Sequence, residues 1–153
     1  MNIRIIAVGK IKERYLQQGI DTYLKRIKSY CNVEIVEVPD EKAPENLSPA
    51  QEEIVKAKEG ERIRNAVRQN SYVIALAIEG EALSSQHLTR KLRDLESSGR
   101  ENIDFIIGGS LGLDKGSLDR ANLLLSFSKL TFPHQLMRLI LREQSYHVLQ
   151  IKY

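Results

Sequence analysis

Residues 103–112 read Ile-Asp-Phe-Ile-Ile-Gly-Gly-Ser-Leu-Gly, an apolar run that stops at a glycine-rich loop. A short apolar run bounded by glycine is typical of a strand that is buried on both faces of a sheet. The same pattern opens the chain, where Asn2–Val8 is rich in isoleucine and stops at Gly9. Buried strands that end in glycine loops indicate a parallel sheet with helices on its faces.

Strand and helix patterns alternate along the rest of the chain. The other predicted strands are Val33–Val38, Tyr72–Ile78, Ile103–Ile107 and Leu123–Phe127. The predicted helices are Lys12–Ser29, a helix capped by Ser48 and running to Val67, Ser85–Ser98, Asp114–Asn122 and His134–Leu149. This order predicts an α/β fold, a mainly parallel sheet with helices on both faces. Ligands bind such sheets beyond the carboxyl ends of the strands, here after Ile78, Ile107 and Phe127.

Length and composition limit the kinds of protein this chain can be. It has 153 residues, 42% of them hydrophobic, which predicts one domain over residues 1–153. No apolar run is long enough to span a membrane, Cys31 is the single cysteine, and no metal-binding spacing occurs. We therefore expect a cytoplasmic protein without a metal or an internal disulfide.

The charge distribution is uneven. Residues 1–30 carry a net charge of +5 and residues 113–153 a net charge of +3, whereas residues 31–61 carry −6. Basic segments favour a nucleic-acid partner, because phosphate contacts supply most non-specific affinity. Ordinary solvated surface charge explains the same pattern equally well.

The loop at 108–112 matches one catalytic motif and fails two others. Ser110 stands where a dinucleotide fingerprint needs glycine, and Lys115-Gly116-Ser117 has the wrong order for a phosphate-binding Walker loop. Gly-x-Ser-x-Gly does match, with Ser110 as the nucleophile of a serine hydrolase. Asp119 and either His134 or His147 follow in the right chain order for a triad. The chain after Gly112 is short, however, for the further strands that carry the acid and the histidine in such hydrolases. A turn that needs glycine for its sharp bend is the non-catalytic alternative.

The predicted last helix carries two features of functional interest. Its apolar residues surround it nearly completely, which predicts burial against a second copy of the chain, a homodimer. Glu143 and His147 are four residues apart and share a face, as an acid and base pair or as a helix-surface pair. His87, in a polar helix start, is expected at the surface.

Two segments resemble a known family. Ile106–Gly112 and Leu125–Arg138 are similar to the SPOUT-class methyltransferases that modify a pseudouridine in bacterial large-subunit ribosomal RNA. Ala7–Lys10 and Pro39–Asn46 look similar too, so the resemblance extends from residue 1 to about residue 146. It implies a homodimer whose C-terminal part forms a trefoil knot, and knot loops that bind S-adenosylmethionine. The cofactor residues it implies are Leu76, Gly108, Phe127, Ser128, Lys129, Leu130, Thr131 and Phe132.

The resemblance also implies the reaction, methylation of ring nitrogen N3 of the pseudouridine, on free ribosomal RNA or on an assembled ribosome. Glu143 or Tyr146 is the candidate to accept or relay the proton that leaves the nitrogen. Arg138 or Arg142 is the candidate to hold phosphate or to stabilise the developing anion. The family reads Tyr-Arg-Ala where this chain has Tyr146-His147-Val148. A catalytically impaired RNA-binding dimer is therefore an alternative, beside the Ser110 hydrolase.

Overall fold

The structure is a computed structural model that describes residues 1–10, 14–27, 31–42, 45–127 and residue 138. Its strands are β1 (Asn2–Val8), β2 (Asn32–Val38), β3 (Tyr72–Ala82), β4 (Asn102–Ile107) and β5 (Leu123–Ser126). Its helices are α1 (Arg14–Ile27), α2 (Pro49–Ala66), α3 (Ser85–Ser97) and α4 (Lys115–Arg120). All nine were predicted from the sequence, with the largest difference in bounds at the end of β3. The predicted last helix lies outside the described residues except for Arg138, which is helical.

The five strands form one sheet in the order β2-β1-β4-β3-β5, and all four pairings are parallel. α2 and α4 pack on one face, where Ile63 and Leu118 contact side chains of the central strands. α3 packs on the other face through Leu88 and Leu92. The predicted α/β class with helices on both faces is confirmed. The predicted trefoil knot involves the C-terminal part of the chain, much of which lies outside the described residues.

The start of α2 follows the predicted capping box. The Ser48 hydroxyl accepts the backbone N–H of Gln51 at 3.2 Å, and the Gln51 side chain accepts the backbone N–H of Ser48 at 2.9 Å. Pro49 occupies the first helical position, where its missing N–H costs nothing. These local interactions fix the residue at which α2 begins.

α2 in turn positions α4 and the loop before it. Asp114 caps α4 by accepting the backbone N–H of Ser117 at 3.0 Å, and it also accepts a hydrogen bond from Arg64 Nη1 at 2.8 Å. A side chain at Gly60 would collide with the Asp114 carboxylate, so glycine is needed for this close approach. Burial by itself would raise the pKa of Asp114, but the hydrogen bonds from Ser117 and Arg64 outweigh it and lower the pKa.

A buried ion pair lies at the other end of the sheet. Asp104 is fully buried in β4 and accepts hydrogen bonds from the backbone N–H and the Nε of Arg68, both at 2.8 Å. This pairing explains how one carboxylate is tolerated inside an otherwise apolar strand. It fixes the chain between α2 and β3 against the amino ends of the central strands.

The prediction that β3 ends near Ile78 was wrong. Leu125 of β5 pairs with Leu76 and again with Glu81, so residues 77–80 form a bulge and the strand continues to Ala82. A side chain at Gly80 would lie 2.7 Å from the carbonyl of Leu124. Gly80 therefore lets β3 return against β5, although glycine in the sequence suggested the end of the strand.

Candidate active site

Two neighbouring strands end, and a third is interrupted by its bulge, at the carboxyl edge of the sheet. β3 loses regular pairing after Leu76, β4 leads directly into Gly108, and β5 leads into Phe127. Leu76 and Phe127 are both partly buried against the apolar cluster that contains Ile107 and Leu125. The structure thus brings Leu76, Gly108 and Phe127 to one apolar edge, the edge at which parallel sheets bind ligands.

The loop from Gly108 to Gly112 folds back on itself. A side chain at Gly108 would lie 2.5 Å from the carbonyl carbon of Gly112 and 2.9 Å from the nitrogen of Leu113. The Gly112 N–H donates to the carbonyl of Gly109 at 3.0 Å, and Gly112 has a φ of +88°, which favours glycine. The loop's own backbone therefore requires glycine at 108, in agreement with the turn that the sequence offered as an alternative.

Ser110 does not form a nucleophile elbow. In such an elbow the serine sits on the sharp turn that joins a strand to the next helix. Here Ser110 is exposed within the turn closed by Gly109 and Gly112, and α4 begins only at Lys115. Asp119 is exposed on α4, and the other two proposed triad members, His134 and His147, lie outside the described residues. His87 is exposed at the start of α3, as predicted.

A cavity of about 660 Å³ opens on the other side of the same loop, at the carboxyl ends of β1 and β2. Its volume is within the range of small-ligand sites. We call it the β1–β2 cavity. Of the described residues, the following line it: Gly9, Lys10, Glu37, Val38, Pro39, Asp40, Glu41, Lys42, Val55, Glu59, Gly109, Ser110 and Leu111. Because Gly109, Ser110 and Leu111 follow Gly108 directly, one loop connects this cavity with the edge formed by Leu76, Gly108 and Phe127.

Glu59 is a buried acid in the wall of the β1–β2 cavity. Its side chain belongs to α2, is 5% exposed, and accepts the backbone N–H of Glu41 through Oε2 at 3.0 Å. Burial raises its pKa, and the hydrogen bond from Glu41 opposes the rise only in part. Glu59 was not predicted as a site residue, because it lies in a highly charged helix. Its spacing from Val55 and Ile63, four residues on either side, is the signal that could have found it.

Two other carboxylates of the cavity are already paired. Glu37 accepts a hydrogen bond from Arg138 Nη1 at 2.6 Å, and Glu41 accepts one from Arg62 Nη2 at 2.6 Å. The hydrogen bond from Arg62, the largest influence, lowers the pKa of Glu41. By contrast, Lys10 and Lys42 are exposed and form no ion pair within the described part of the chain. The unpaired positive charge at this cavity therefore belongs to these two lysines.

Arg138 has a structural role at this edge. It is 2% exposed, and its Nη2 donates to the carbonyls of Val8 and Gly9 at 2.9 and 2.5 Å, besides the ion pair with Glu37. Its guanidinium therefore ties the C-terminal segment to the ends of β1 and β2. The suggestion that Arg138 or Arg142 holds phosphate stays a prediction; the described contacts of Arg138 are to Glu37 and to the carbonyls of Val8 and Gly9.

Comparison with known proteins identifies the family. A family model described as predicted SPOUT methyltransferase matches residues 1–153. The chain belongs to the SPOUT methyltransferase family. Relatives named ribosomal RNA large subunit methyltransferase H are 56% identical in Clostridioides difficile and 58% identical in Alkaliphilus oremlandii, each over 151 residues. Each alignment covers 99% of this chain and 95% of the relative.

Solved structures of methyltransferases share the fold. A probable methyltransferase from Bordetella pertussis superposes with a TM-score of 0.58 at 12% identity, over 97% of this chain and 96% of that one. A probable methylase family protein from Haemophilus influenzae superposes with a TM-score of 0.54 at 12% identity. The superposition covers 99% of this chain and 67% of that one. At this identity the likeness concerns the fold alone, and it agrees with the parallel α/β sheet of this SPOUT methyltransferase.

Part of the predicted site of this SPOUT methyltransferase lies outside the described residues, namely Ser128, Lys129, Leu130, Thr131, Phe132, Arg142, Glu143 and Tyr146. In the described ranges, no cluster of three or more histidine, cysteine, aspartate or glutamate side chains could hold a metal ion. Nor is any helix in those ranges both long and apolar enough to cross a membrane.

Proposed function

We propose that the protein is an S-adenosylmethionine-dependent methyltransferase that modifies ring nitrogen N3 of a pseudouridine in large-subunit ribosomal RNA. The observation that carries this proposal is the 56–58% identity, over 99% of the chain, to relatives named for ribosomal RNA methylation. The exposed position of Ser110, without an elbow around it, removes the support for a hydrolase.

The donor site is proposed at the edge formed by Leu76, Gly108 and Phe127, completed by residues 128–132. An adenosine needs a narrow apolar slot edged with backbone donors and acceptors. Leu76 and Phe127 supply apolar surface there, and Gly108 and Gly109 supply backbone groups without side chains. The described residues therefore fit the adenosine part of the cofactor.

When bound, the cofactor supplies a methyl group on a sulfonium. The main task of the protein is then alignment of the acceptor, because little charge has to be created during transfer. The acceptor nitrogen carries a proton that must leave, and we assign its acceptance or relay to Glu143 or Tyr146. Arg142 is assigned to nearby phosphate or to the developing anion. Arg138, four residues before Arg142, holds this segment to the ends of β1 and β2.

Two further parts of the proposal concern the setting of the enzyme. We propose a homodimer, because the predicted last helix is apolar nearly all round and one small sheet cannot cover it. We also propose a cytoplasmic location, where ribosomal RNA or assembled ribosomes are available as substrate.

Calorimetric titration with S-adenosylhomocysteine tests the donor site. The proposal predicts saturable binding to the wild-type protein, the same binding by Ser110→Ala, and loss of binding by folded Gly108→Arg. Absence of binding to the folded wild-type protein contradicts it. The proton relay is tested by Glu143→Gln and Tyr146→Phe, which are expected to slow methyl transfer while donor binding persists. Unchanged transfer in both variants would remove the relay.

A further inference from the structure

We propose that the β1–β2 cavity binds the acceptor nucleotide of the RNA, with its phosphates at Lys10 and Lys42 and its base against Leu111 and Glu59. This inference rests on the proposed function and names the substrate side of the same site.

The position of the cavity connects it to the donor edge. Gly108 belongs to that edge, and the three residues that follow it line the cavity. A methyl acceptor must lie beside the donor, and the carboxyl edge of a parallel sheet is where both are expected. A nucleotide in the β1–β2 cavity and a donor at Leu76 and Phe127 would meet beyond this edge of the sheet, beside the loop that both sites share.

The charges at the cavity suit a polyanion. Glu37 and Glu41 are neutralised by Arg138 and Arg62, whereas Lys10 and Lys42 carry positive charge at exposed positions. Asp40 is the exposed carboxylate that remains among the described lining residues. Lysine side chains bind phosphate as flexible point charges, and they are placed here where a backbone phosphate can reach them from solvent.

The inner wall suits a nucleobase. Val55 and Leu111 offer apolar surface to the flat face of a ring, and Glu59 offers a carboxyl group. Oε2 of Glu59 accepts the backbone N–H of Glu41, and no hydrogen bond to Oε1 occurs within the described part of the chain. Oε1 lies beside Gly109 in the cavity wall, and a ring N–H of the base would donate a hydrogen bond to it. Pseudouridine has such ring N–H groups, so Glu59 can orient the base as a positioning residue.

The test measures methyl transfer and donor binding in parallel. Lys10→Ala, Lys42→Ala and Glu59→Gln are compared with Lys25→Ala, a matched loss of charge in the last turn of α1, at the opposite end of the sheet. Ribosomes that lack the modification serve as substrate, and titration with S-adenosylhomocysteine reports the donor site. Denaturation midpoints verify that each variant is folded.

Each lysine variant is expected to raise KM for ribosomes about 10-fold, since each removes one charge-assisted contact with a backbone phosphate. Each should also reduce the slope of log affinity against log salt by about 0.7–0.9. Glu59→Gln is expected to lower kcat, with the salt dependence unchanged, because it contacts the base and not a phosphate. Donor binding should stay at the wild-type value in all three variants and in Lys25→Ala.

Three negative outcomes are distinguishable. If the wild-type protein binds donor and transfers methyl groups, but Lys10→Ala and Lys42→Ala behave like Lys25→Ala, the acceptor lies elsewhere and the inference is overturned. If the wild-type protein neither binds donor nor transfers methyl groups, the proposed function fails first. Loss of donor binding in the lysine variants would also overturn the inference, because it would place these residues at the donor instead.

Discussion

Gly108→Ala tests whether the loop at the donor edge is held by the contact described above. The added methyl group would lie 2.5 Å from the carbonyl carbon of Gly112. Since an ordinary contact begins near 3.4 Å, the loop backbone must move by about 0.9 Å. Overpacking of this kind costs about 1–3 kcal/mol in the free energy of unfolding. A displacement near 1 Å at a reacting site slows the chemical step about 100-fold.

The matched control is Gly99→Ala, the same substitution after the end of α3. Gly99 has a φ of +88°, and no atom lies within 4 Å of an added side chain. The substitution therefore lowers the free energy of unfolding only through the unfavourable backbone conformation, by about 1–2 kcal/mol. Urea denaturation is expected to show similar losses of stability for the two variants. Single-turnover methyl transfer should be slowed only by Gly108→Ala. If Gly108→Ala transfers methyl groups at the wild-type rate, the argument that the backbone of this loop controls the site is refuted.

Three further predictions concern stability. Asp104→Asn should lower the free energy of unfolding by about 3 kcal/mol, because it leaves the charge of Arg68 without its buried partner; a loss below about 1 kcal/mol in urea denaturation would count against that pairing. Gly60→Ala should cost about 1–3 kcal/mol by pushing Asp114 away from α2, and an unchanged melting temperature would show that the approach of the two elements is looser than described. The pKa of Asp114 is lowered by folding, so its contribution is complete above its ordinary pKa of 3.8 and is lost as the pH falls through the lower folded-state value. Asp114→Asn should therefore destabilise the protein at neutral pH and weaken the dependence of stability on pH in the acid range. If the stability of the wild-type protein and of the variant changes in parallel with pH, this role of the ion pair between Asp114 and Arg64 is excluded.

The sequence predicted the nine described elements because each carries a strong local signal. Apolar runs such as Asn2–Val8 mark buried strands, and the Ser48 to Gln51 box marks a helix start. The extension of β3 could not be predicted, because it depends on the close approach of Gly80 to β5, a contact between residues distant in sequence. In the same way, the burial of Asp104 is explained only by its ion pair with Arg68, a residue distant in sequence.

The site was predicted in part. The strand ends that bring Gly108 and Phe127 together follow from the rules for parallel sheets, and the cofactor assignment came from the resemblance. Glu59 was missed because charged residues surround it in the sequence, although it is buried in the structure. The contacts of Arg138 could not be predicted, because its partners, Glu37 and the carbonyls of Val8 and Gly9, are 101 to 130 residues away in sequence.

The most direct test of the proposed function is the mapping of the methylated nucleotide. Ribosomes from a strain that lacks this methylation are incubated with the purified protein and S-adenosylmethionine, and fragments of the large-subunit RNA are analysed by mass spectrometry. The proposal predicts one added methyl group, on N3 of a pseudouridine. Donor binding without any methylated nucleotide, or methylation at a different kind of nucleotide, would contradict it.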